Sequence, residues 1–197
     1  CDTRFQASPR IANELINRRQ LSTASVVAVK KIITSLLDGP TRRGLGFAGN
    51  GPEVTIFHAV FEATSWHRKM QPEFQLMAPG PKCGLRPAWT AIQKFLDSSL
   101  HEPRSLSVLW DRLAQPPYGI RAGLAPLLIW GALIQRLSEC CLYERGTYVP
   151  NWSAELYDRF LRAPDEFHIR CLAGTRLPEV LVDLSAALPT PANGHAS

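Results

Sequence analysis

Between Leu124 and Leu137 the chain places Leu124, Leu127, Leu128, Ile129, Trp130, Leu133, Ile134 and Leu137 around most of the circumference of a helix, leaving chiefly Arg121, Gln135 and Arg136 polar. A helix that is apolar nearly all round has no face to give to water, so it belongs at the centre of a packed unit. Its surroundings are equally constrained. Pro116 and Pro117 end the preceding helix, because they remove amide donors and push the residue before them out of the helical region. Pro126 is tolerated near the start of the new helix, where a missing amide costs little. Beyond it, Leu142 and Tyr143, then Thr147, Tyr148 and Val149, flank Glu144, Arg145 and Gly146. That pattern suits a short β-hairpin with glycine at a positive-φ position. From Pro116 to Pro150 the order is therefore helix, turn, helix and wing.

The flanking chain predicts more helices. Ser8 followed by Pro9 reads as a helix start running to Arg18, and Ser22 caps a second helix with Val26, Val29, Ile33, Leu36 and Leu37 at helical spacing, ended by Asp38, Gly39 and Pro40. Pro52 and Glu53 open a third, carrying Val54, Phe57, Ala59, Val60, Phe61 and Trp66, which closes a helical hairpin. Residues 70–87 are rich in Pro and Gly without a period and read as a connection. Ala88–Leu100 and Ser105–Ala114 are amphipathic helices, Ser153 caps another to Arg162, and Phe167, Ile169 and Cys171 alternate as a strand. Leu177–Leu188 reads as a last helix before a frayed tail. The expected fold is mainly α: a basic helical segment over 1–69, the connection 70–87, a winged-helix-like domain over 88–174 with its β-hairpin, and a terminal helix and tail over 175–197.

With 197 residues, 45% of them hydrophobic, the chain can build a packed core. No apolar run approaches the roughly 18 residues of a membrane span, so no membrane partner is expected. Five cysteines, two of them adjacent at Cys140 and Cys141, do not form the spaced even set of a disulfide scaffold, which points to a reducing cytoplasm. The chain begins at Cys1 without a secretory signal and reads as part of something longer. The net charge of +5 is unevenly spread: residues 1–70 hold ten Lys/Arg against five Asp/Glu, whereas residues 71–197 hold twelve of each.

Catalytic motifs are incomplete. Gly44, Gly46 and Gly49 spell G-x-G-x-x-G, but the dinucleotide fingerprint needs a strand before its glycines, and here the pattern before them is helical. There is no G-x-x-x-x-G-K-[ST], G-x-S-x-G or H-E-x-x-H. Cys140, Cys141, His168 and Cys171 lack the knuckle spacing of zinc ligands, and adjacent cysteines on a strand point to opposite faces. Asp165 and Glu166 follow Pro164 as a solvated turn. No cofactor is expected in this chain.

The charge excess makes Arg10, Arg18, Arg19, Lys30, Lys31, Arg42 and Arg43 the candidate contacts to DNA or RNA, since clustered cations gain from counterion release on phosphate. Tyr118, Arg121 and Arg145 join them as outward groups of the helix, turn, helix and wing. A base-reading helix shows polar side chains near its N-terminus, which the Leu124–Leu137 helix does not, so any nucleic-acid role moves toward the N-terminal cations.

Three segments carry a resemblance: Asn13–Arg19 with Leu21 and Ser22, Pro116–Gly119, and Leu142–Pro150. Over about residues 8 to 170 the chain resembles a helical and winged-helix-like region of large bacterial multidomain ATP-binding proteins of phage-defence and DNA-processing gene neighbourhoods. The resemblance implies that the ATPase module lies in other domains of a larger parent protein, that those domains are partners of this region, and that no catalytic residue is inherited. The expected function is a non-catalytic segment engaging nucleic acid or a partner protein. The rivals are a small enzyme with a cleft built from Cys83, His67, His168 or Glu166, and a purely structural linker.

Overall fold

A computed structural model describes residues 5–18 and 20–172. Among these residues the architecture is mixed: six helices and two small antiparallel sheets, so strands contribute more than a mainly helical reading allows. The elements are α1 (Thr23–Asp38), α2 (Pro52–Phe57, continued by a wider π-type turn His58–Glu62), β1 (His67–Met70), β2 (Glu73–Leu76), α3 (Arg86–Ser98), β3 (Arg104–Ser105), α4 (Leu106–Ala114), α5 (Ala125–Gln135), β4 (Cys140–Glu144), β5 (Thr147–Val149), α6 (Ala154–Arg162) and β6 (Phe167–Cys171). The last helix read in the sequence, Leu177–Leu188, lies outside the described residues, as does Arg19.

The apolar helix is the hub. Every residue of α5 from Ala125 to Ile134 is buried, and α1, α3 and α4 all pack against it. Trp130 meets Trp152 and Tyr157 edge-on, each at a centroid separation of 5.4 Å. On another side Gly131 leaves room for the Trp66 ring, which a Cβ there would strike. Trp66 stacks on Phe61 and meets Trp89 edge-on, so a single hydrophobic core runs from Ile11 to Cys171 through both halves of the sequence. α6 then lays its apolar stripe of Leu156, Tyr157 and Phe160 inward and packs against α1.

Capping signals locate the helix starts. Ser22, Ser105 and Ser153 accept the amides of Ser25, Ser107 and Leu156, satisfying donors that the first turns of α1, α4 and α6 would otherwise leave orphaned. The second sheet has the order β3-β6-β4-β5 and is antiparallel throughout. β4 and β5 are joined through Arg145 and Gly146, both at positive φ (52° and 79°), the geometry that a two-residue hairpin turn demands.

Three expectations are corrected. Ser8–Arg18 is not a helix: Asn13 accepts the Leu15 amide and Asn17 donates to the Ile11 carbonyl, so side chains take backbone groups that a helix would use. Buried Ile11 and Ile16 nonetheless fix the segment to the core. The third helix stops at Glu62, and Ser65 (φ 56°) turns the chain so that Trp66 and His67 sit beyond it. The 70–87 connection contains β2, which pairs with β1 in register His67↔Leu76 to Met70↔Glu73. Four-residue strands joined through Gln71 and Pro72 are too short to show alternation above a Pro-rich background.

Candidate functional site: a cationic groove across residues 8 to 11

The irregular N-terminal segment is where the candidate site forms. It runs over the α4–α5 connection, held by the Ala7 amide donating to the Pro117 carbonyl at 3.2 Å. Further along, it lies against the N-terminal end of α5: a Cβ on buried Gly123 would strike the Ile16 carbonyl and the Leu21 side chain. Ser8–Ile11 thereby becomes a ridge between two clefts. One, of about 690 Å³, is lined by Phe5, Arg10, Asn17, Gly119 and Arg121 among others; the second, of about 760 Å³, is lined by Arg10, Thr55, His58, Lys82 and Cys83 among others.

Arg10 belongs to both clefts, and among the described residues no carboxylate lines either. Arg10, Arg121 and Lys82 are exposed and, among the described residues, take part in no ion pair. His58 bonds Glu62 one turn further on, at the rim. An aromatic ring completes the first cleft: Phe5, 42% exposed, lies against Gly119, whose φ of 58° turns the chain after Tyr118. Tyr118 is half-buried, its amide donating to the Gln115 carbonyl.

The other cations of the sequence reading are placed differently. Lys30 and Lys31 line a cleft of about 550 Å³ with Phe47, Glu53 and Glu155. Lys31 Nζ lies 3.2 Å from Glu53, whose carboxylate is held below its ordinary range by its own backbone amide and then by Lys31. Glu155 is likewise held down, by its own amide, by Ser153 and more weakly by Lys30 and Arg159. Arg42 and Arg43 are exposed on the loop beside the first hairpin, where the Phe74 amide donates to the Thr41 carbonyl. Arg18 is exposed on a turn. At the wing, Arg145 donates to Glu166 at 2.7 Å, and Arg159 donates twice to Glu144, at 2.8 and 3.0 Å, holding that carboxylate low. The structure thus unites Arg10 with Arg121, separates both from Lys30 and Lys31, and adds Lys82 and His58, which no local charge cluster flags in the sequence.

Groups considered for an enzyme do not meet. Cys83 Sγ donates to the Gly80 carbonyl at 3.0 Å, and His67 donates to the Pro40 carbonyl at 2.8 Å while stacking on Phe74. His168 is on β6 opposite Tyr143, and Glu166 is taken by Arg145. Gly44, Gly46 and Gly49 follow helix α1, with no strand before them among the described residues, unlike a dinucleotide loop. Cys140 and Cys171 face each other across β4 and β6 with sulfurs 2.6 Å apart, whereas Cys141 pairs with Arg170. Alternation puts Cys141 and His168 on the other face of the sheet, and no cluster of three metal-ligating groups occurs among the described residues. Within the thiol pair the hydrogen bond between the two sulfurs holds Cys171 below the ordinary thiol range, helped by the Arg136 charge, and pushes Cys140 up.

No helix among the described residues is long and apolar enough to cross a membrane. Comparison of the chain with protein-family models, with curated proteins and with solved structures gives no match in any of the three.

Proposed function

We propose that this chain is a non-catalytic module that engages nucleic acid through the groove across Ser8–Ile11. The observation that carries this reading is the charge of the groove: Arg10 faces both clefts, Arg121 and Lys82 stand on either side, and no carboxylate among the described residues lines them. A concave surface of one sign concentrates its field on a polyanion, and each phosphate neutralised releases condensed counterions.

The fold is read here as a winged helix with an enlarged wing. The order α3, β3, α4, α5, β4, β6 with sheet order β3-β6-β4 follows the helix, strand, helix, helix, strand, wing, strand plan, β5 and α6 being inserted between the last two strands. In such a plan α5 stands where a recognition helix stands. Its burial, and the cover of Ile16 and Leu21 over Gly123, argue against insertion of α5 into a major groove. The phosphate-directed groove is the alternative route. The link to a larger ATP-dependent protein rests on the family resemblance; in that setting the module holds nucleic acid while an ATPase domain elsewhere does the work.

The test is binding of the purified chain to mixed-sequence DNA and RNA oligonucleotides at about 50 mM salt, repeated at rising salt. The expected result is binding that weakens log-linearly with salt, at a slope of about −2 to −3 for three or so phosphate contacts. Absence of a shift with any of these polymers at low salt would remove the reading.

A further inference from the structure

Resting on the nucleic-acid reading, we infer that the ligand of this groove is a single strand, with Phe5 as a base-stacking platform beside the phosphate contacts of Arg10 and Arg121. Three observations converge. The cations lie in concave clefts of about 690 and 760 Å³ rather than on a projecting element. A duplex is read by something that projects: a helix or ribbon entering a major groove about 12 Å wide. Here the one helix in position to do so is buried along its length and covered at its start.

The second observation is the aromatic ring at the cation pair. Phe5 leaves 42% of its surface open and lines the same cleft as Arg10 and Arg121. A duplex hides its base faces in its own stack, whereas a single strand offers them to an aromatic partner while its phosphates follow the cations. The third is the support beneath the platform. Phe5 rests on Gly119, its carbonyl accepts the Ser8 amide at 3.2 Å, and Ala7 is bonded to Pro117, so the ring stands on a braced turn. A strand laid across Ser8–Ile11 would place bases on Phe5 in the first cleft and pass Arg10 to reach Lys82 in the second.

The experiment compares, on the full chain, fluorescence anisotropy titrations with labelled oligo(dT) of about 12 nucleotides, oligo(rU) of the same length and a mixed-sequence DNA duplex of that length. Binding of either single strand about tenfold or more tighter than the duplex supports the inference, and the preferred sugar identifies the strand as DNA or RNA. Phe5→Ala is expected to weaken single-strand binding about tenfold, with Phe5→Trp restoring the affinity. Phe5 is exposed and outside the core, so both variants keep the fold, which circular dichroism checks. Duplex binding equal to or tighter than single-strand binding, or Phe5→Ala at wild-type affinity, overturns the inference while leaving the broader nucleic-acid reading in place. Failure of all three probes to bind overturns both.

Discussion

Cations from the basic N-terminal third line clefts of two kinds, which differ in what faces those cations. Lys30 and Lys31 look across at Glu53 and Glu155, brought in by α2 and α6. Arg10 and Arg121 look into a cleft with no carboxylate among its described lining residues. The difference separates charge that a fold uses internally from charge that it leaves for a ligand. Lys31 helps to hold Glu53 ionised and thereby ties α1 to α2. The Arg10 groove has no carboxylate among its described lining residues, and its exposed cations are screened by water and its ions.

The largest effect should come from reversing the unspent charges. Arg10→Glu combined with Arg121→Glu is expected to weaken binding of an oligonucleotide about a hundredfold at low salt and to flatten its salt dependence by about two units of slope, read by anisotropy titration. Next comes the wall of the groove. Gly123→Ala drives a methyl into the Ile16 carbonyl and should cost about 1–3 kcal/mol of stability by urea denaturation, with a parallel several-fold loss of affinity as Ser8–Ile11 is displaced. If stability falls and affinity does not, the docked segment is not the binding element.

A third prediction separates acid effects on the fold from acid effects on binding. Burial holds the His67 imidazole below its ordinary value near 6.5, outweighing the opposing pull of its bond to the Pro40 carbonyl. The unfolded chain therefore takes up this proton at a higher pH than the folded one. Stability should fall as pH drops below about 6.5 and level off below the depressed folded value. His67→Phe should remove that part of the acid sensitivity of the urea midpoint. The smallest effect belongs to the balanced cleft: Lys31→Ala, which deletes an exposed pair, should cost about 0.5 kcal/mol or less and leave oligonucleotide affinity within about twofold.

How much of this was legible in the sequence depended on the range of the interaction. The all-apolar helix announced its own burial, and Ser22 and Ser153 marked starts that the structure uses, because capping is settled within a few residues. The Arg145–Gly146 turn was readable for the same reason. Ser8–Arg18 misled, since Ser-Pro is a helix start only if the following side chains do not bid for the backbone, and Asn13 and Asn17 do. The β1–β2 hairpin was lost in a Pro-rich stretch. The groove was beyond reach from the sequence alone: Arg10, Lys82 and Arg121 come from three distant segments, and their juxtaposition is a product of packing around α5. A count of basic residues favoured Lys30 and Lys31 equally with Arg10, because nothing local reveals that Glu53 and Glu155 will face the lysines.

The Arg10–Arg121 cleft carries Phe5, with Tyr118 next in the chain to its lining residue Gly119, and the Lys30–Lys31 cleft carries Phe47, so the ligand's position can be read chemically. Photocrosslinking of the intact chain to oligo(dT) substituted with 5-iododeoxyuridine, followed by peptide mass spectrometry, measures it most directly. Adducts on Phe5 or Tyr118, lost in the Arg10→Glu/Arg121→Glu variant, are the predicted result. Adducts confined to Phe47, beside Lys30 and Lys31, or to Tyr148 on the wing would contradict the account.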